Sequence, residues 1–160
     1  MPDTDFDDQF GLLAQSLVAI AFEYVNFNED ELDAIYVFGS PTNDNCFNNF
    51  FYKINGEIVS GRRLNTVLKE PVDLSTERAT AFFAQAALQL AAVAALFKKQ
   101  KEEVPRIIRL VYNAREEALG LQLDHKLPSG YHGKEGDMAG IFMDWLDAVK
   151  EDEAAALAPF

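Results

Sequence analysis

Residues 79–97 (ATAFFAQAALQLAAVAALF) carry no charge, no glycine and no proline, and alanine is their commonest residue. A run of that kind is a long helix buried along at least one side. Its ends are marked as well. Ser75 stands where an N-cap belongs, with Glu77 in the first turn, while Lys98, Lys99 and Lys101 sit where cations favour the negative end of the helix dipole. The run is long enough to span a membrane, but alanine contributes little to insertion, and Gln85 and Gln89 put two amides on one side. A core helix is expected, with Phe83, Ala87, Leu90, Ala94 and Phe97 as the stripe that lies across a sheet.

The rest of the chain supplies that sheet. Ahead of it, Phe6, Phe10, Leu13, Leu17, Ile20 and Tyr24 recur at helical spacing. An acidic loop, 28–33, then leads into the β-branched and aromatic run 34–38, which is ended by Gly39, Ser40 and Pro41. Residues 47–54 read as a second strand with Phe50, Tyr52 and Ile54 on one face. Asn55-Gly56, which accepts positive φ at both centres of a type I′ turn, returns the chain as a third strand over 57–62. Pro71 keeps the connector 64–74 out of a central strand. After Pro105, alternation at Ile108, Leu110 and Tyr112 and again at Leu119, Leu121 and Leu123 predicts two strands joined near Arg115 and Glu116. A glycine-rich loop over 127–136 precedes a final amphipathic helix with Met138, Ile141, Phe142, Trp145 and Val149.

The order α-β-β-β-α-β-β-α predicts an α+β fold, an antiparallel sheet of about five strands packed against helices that cover one side. Residues 1–150 form a single domain, and the tail 151–160 is expected to fray. With one cysteine, Cys46, no internal disulfide is possible, and no cationic apolar leader precedes the acidic start. The expected location is therefore the cytoplasm.

Charge is the strongest functional signal. The net charge is −12, yet residues 1–52 hold ten acidic groups and no Lys or Arg, residues 53–126 twelve basic against nine acidic, and residues 127–160 two against seven. Acidic ends repel nucleic acid and attract a basic protein. Asp7, Asp8, Asp30, Glu31 and Asp44 are the candidate partner-binding residues. Chemistry is harder to find. His125 and His132 lack metal-ligand spacing, no phosphate-cradling loop or nucleophile elbow occurs, and Asp124 beside His125 on a strand points to the opposite face. No catalytic residue, cofactor or metal is expected.

Several segments resemble the YezG-like immunity proteins: residues 35–40 (IYVFGS), the aromatic hairpin 50–56 (FFYKING), the helix ending at 96–99 (LFKK), and the alternating strand pair after Pro105. The likeness runs over about 10–125. It implies a protein that binds and neutralises a cognate secreted nuclease toxin, which agrees with the charge map. A second resemblance is to the small acidic chaperones of type III secretion, homodimers of similar element order that wrap an unfolded stretch of an effector. A third reading takes the loop 127–136, with His125, Tyr131 and His132, as a small-ligand or enzyme site.

Overall fold

The computed structural model describes residues 4–42, 46–131 and 137–160. Its elements are α1 (Thr4–Tyr24), β1 (Leu32–Gly39), β2 (Asn48–Ile54), β3 (Glu57–Ser60), α2 (Thr76–Lys99), β4 (Ile107–Asn113), β5 (Ala118–Asp124) and α3 (Asp137–Glu151). Two 3-10 turns, Gly61–Thr66 and Glu153–Leu157, complete them. This is the expected α+β order. The strands form one antiparallel sheet, β3-β2-β1-β4-β5, with β1 at its centre.

Period two then divides the side chains between two cores. On one face Ile35, Val37, Phe50, Tyr52, Ile54, Ile108 and Leu110 meet α1 and α2. Those helices run antiparallel, since Phe6 and Phe10 pack on Phe97 while Tyr24 lies 4.4 Å from Phe82, centroid to centroid. The Tyr52 hydroxyl donates to the Ala21 carbonyl across this core at 2.8 Å. Cys46 fills a partly buried position against it, and burial raises its thiol pKa.

Helices cover both faces of the sheet, which corrects the one-sided arrangement. On the second face Ala34, Tyr36, Phe38, Phe51 and Ile107 pack under Ile141, Phe142 and Trp145 of α3. Tyr36 stacks on Phe51 at 4.3 Å, and Trp145 meets Phe51 edge-on at 4.9 Å. Such aromatic pairs add about 0.5–1.5 kcal/mol each beyond the area they bury. The unbroken apolar run of β1 is what a strand buried on both sides requires.

The tail is also ordered. Asp152 caps the turn Glu153–Leu157 by accepting from the Ala154 amide at 3.0 Å, and Ala156 is buried. The Ala156 carbonyl accepts from Trp145 Nε1 at 2.8 Å. Beneath it the Arg109 guanidinium is 1 % exposed, pairs with Asp124 at 2.9 Å, donates to the Ala158 carbonyl at 2.7 Å, and lies 3.8 Å from the Phe160 ring centroid. A buried cation therefore anchors the segment expected to fray.

Helix α2 ends as its charges predict, with the Ser75 hydroxyl accepting from the Arg78 amide at 3.3 Å. Its buried stripe is Phe82, Ala86, Leu90, Val93 and Phe97, with Ala94 and Leu96 beside it, and Phe83 is exposed. The expected stripe is thus turned at its N-terminal end. The reason is that α2 packs on α1 as well as on the sheet. By length and mean hydropathy, 1.7, α2 passes for a membrane span, but here it is the cover of a sheet.

Leu90 presses that helix onto the sheet at Gly39, where a Cβ would come within 2.6 Å of Leu90 Cδ2 and 2.9 Å of Cδ1. Leu90 is 1 % exposed and has nowhere to turn. Gly39→Ala is expected to destabilise the protein by about 1–3 kcal/mol. Adding Leu90→Ala should cost less than the two single losses together, a coupling that denaturant titration of the double-mutant cycle measures.

Candidate functional site

The cover of α3 and its following turn stops short of one end of the sheet. A groove of about 620 Å³ opens there, over Ala34 and Tyr36 of β1, Lys53 of β2 and Val111 and Asn113 of β4. Register explains the grouping, because Ala34 is paired with Lys53 on one side and Asn113 on the other, and Tyr36 is paired with Val111. These side chains share the face that α3 covers, and the groove opens beside that cover, walled by Glu153 and Ala156 of the turn that follows the helix.

Charged groups line the walls. Asp33 accepts from the Gly56 amide at 2.8 Å and from Arg115 Nε at 3.0 Å, while Lys53 pairs with Glu153 at 2.6 Å. Arg115 also donates to the Asp30 carbonyl, and Glu116 completes the rim. Burial acts to raise the Asp33 pKa, yet the Gly56 amide and Arg115 outweigh it and hold the carboxyl below its usual value. Tyr36 on the floor is pushed up to about 12, first by burial and then by the negative charges of Glu153 and Asp33. The groove is lined by three acidic groups, Asp33, Glu116 and Glu153, against two basic ones, Lys53 and Arg115. Both ion pairs are half in solvent, contribute little to stability, and can exchange partners.

The four acidic candidates among the described residues are not one surface. Asp7 and Asp8 are exposed near the start of α1, whereas Asp30 is exposed beyond its far end, next to the groove. From Asp8 to Tyr24 the helix alone spans about 24 Å. Asp44 lies outside the described residues. Glu31 is no surface charge, being only 6 % exposed. Its carboxylate accepts from the Lys69 and Glu70 amides at 2.7 and 3.2 Å and from the side-chain amides of Asn55 and Asn28 at 2.9 and 2.6 Å. The Lys69 amide first, helped by Asn55, Asn28 and Glu70 against the cost of burial, holds its pKa down to about 2. Glu31 ties the β2–β3 turn to the connector after it, so it is withdrawn as a partner contact.

The histidine reading gathers less. His125 is exposed, with Nε2 3.2 Å from the Glu103 carbonyl, and Tyr131 donates to Asp144 of α3 at 2.5 Å. His132 lies outside the described residues. Asp124 points away from His125 into the Arg109 pair, as alternation on a strand requires. Among the described residues no group of three or more His, Cys, Asp or Glu is placed to hold a metal ion.

Lys53, Arg115 and Glu153 form the groove with Asp33, and none of the four stands out in the sequence. They come from positions as far apart as 33 and 153. The Asn55-Gly56 turn was the one available signal, since it fixes which way Lys53 faces. No protein-family model matches the chain, and neither does any curated protein.

Proposed function

We propose that this chain is a non-catalytic binding protein of the immunity type, which neutralises a basic nuclease toxin in the cytoplasm. The groove receives a Lys or Arg side chain of that toxin. The observation that carries this reading is the lining of the groove, where Asp33, Glu116 and Glu153 outnumber Lys53 and Arg115 and the ion pairs are partly in solvent. A cation entering there replaces Lys53 or Arg115 as the partner of a carboxylate, and the net charge of −12 draws it in from a distance. The resemblance to YezG-like immunity proteins supports the same partner class.

Affinity capture from the host's lysate, at low and then raised salt, tests it. A stoichiometric basic protein whose nuclease activity disappears on adding this chain is the expected result. Glu116→Lys with Glu153→Lys should weaken that complex about tenfold or more and flatten its salt dependence. Asp7→Lys with Asp8→Lys, at the distant end of α1, should leave it within twofold. The opposite ranking would remove the groove from the interface. Retention of an extended, unfolded client in place of a folded nuclease would move the assignment to a secretion chaperone.

A further inference from the structure

Helix α2 carries a second apolar stripe that none of the described residues covers. Ala81, Ala84, Leu88, Ala91 and Ala95 follow one another at spacings of three and four residues, the repeat of a coiled-coil seam. All five are exposed, Leu88 by 70 %. The first stripe of the same helix, through Phe82, Ala86, Leu90, Val93 and Phe97, is the one that the fold uses.

We propose that this face pairs with the same face of a second copy, the two α2 helices running antiparallel about a two-fold axis at Leu88. The sequence is self-complementary about that residue. Ala81 and Ala95 lie seven positions to either side, and Glu77 and Lys99, both exposed, lie eleven. Antiparallel pairing sets Glu77 of each copy against Lys99 of the other, twice in the dimer. Parallel pairing would set like charge against like. Each charge also suits the dipole of its own helix, and the antiparallel partner adds an opposite charge to both ends.

Two further properties favour a second copy over other occupants. Alanines at the seam let the backbones approach closely, with Leu88 packing against its symmetry mate. In a chain of net charge −12, residues 79–97 are a stretch with no charge at all, so copies that repel elsewhere meet here without cost.

Sedimentation equilibrium of the full chain across a dilution series, with no toxin present, tests the proposal. The expected mass approaches twice 17.9 kDa, and Leu88→Lys, a change at a side chain exposed in the single chain that should leave the circular dichroism unchanged, returns it to 17.9 kDa. Glu77→Lys and Lys99→Glu should each weaken the dimer, and the double exchange should restore it. A monomer at every concentration overturns the proposal, as does a dimer indifferent to Leu88→Lys. A monomer that binds neutral phosphatidylcholine vesicles through this face would overturn it in favour of a bilayer. Toxin binding through the groove is read separately and stands or falls without it.

Discussion

Asp124→Ala is expected to cost about 3–5 kcal/mol, because it leaves the Arg109 guanidinium buried with no countercharge. Arg109 sits under the tail, with Nε already lacking a hydrogen-bond partner, and cannot reach water without expelling the turn Glu153–Leu157. The loss should thus appear in two ways. Urea titration should give the lower stability, and limited proteolysis should cut the last ten residues of the variant well before those of the parent. Replacing both partners, Arg109→Met with Asp124→Leu, removes the stranded charge and should recover much of the loss. Recovery of stability without recovery of protease resistance would show that the pair serves to hold the tail.

Glu31→Ala is the second large effect, expected at about 3 kcal/mol or more, since four donors lose one acceptor at once. Its pH dependence has a definite sign. The folded pKa of about 2 lies below the ordinary 4.5, so the stabilisation is complete above the ordinary value and is lost as pH falls from there through the folded one. Glu31→Gln should flatten the acid limb of the stability curve below pH 4.5 and lower the plateau above it. An acid limb unchanged in that variant would assign it to other carboxylates.

What was legible in the sequence is what local rules decide. Asn55 and Gly56 adopt φ of 50° and 84°, so the turn is the one their side chains permit, and with Ile54 set opposite Glu57 the register of the hairpin follows. Ser75 marked its helix start for the same reason. The second cover of the sheet was missed, since helices were expected on one side only, although the unbroken apolar run of 34–38 suits a strand buried on both faces. Glu31 and Arg109 were illegible because a polar residue gives no sign of burial until its partners are assembled, and theirs lie as far as 39 and 49 positions away. The groove had the same defect. It exists only because α3 ends where it does, a matter of packing that no stretch of sequence encodes by itself.

The central place of β1 has a consequence for synthesis. Its second neighbour, β4, begins at Ile107, 68 residues after β1 ends at Gly39. At elongation rates of about 5–20 residues per second, the ribosome needs roughly 3–14 s to supply it. Once Ser60 has been added, the nascent chain has β1, β2 and β3 with the unpaired backbone of β1 along one edge, flanked by Tyr36 and Phe38, the kind of edge that recruits strands from other chains. The helix α2 emerges within the same interval and can shield one face of the incomplete sheet. The other face waits for α3, which follows β4 and β5.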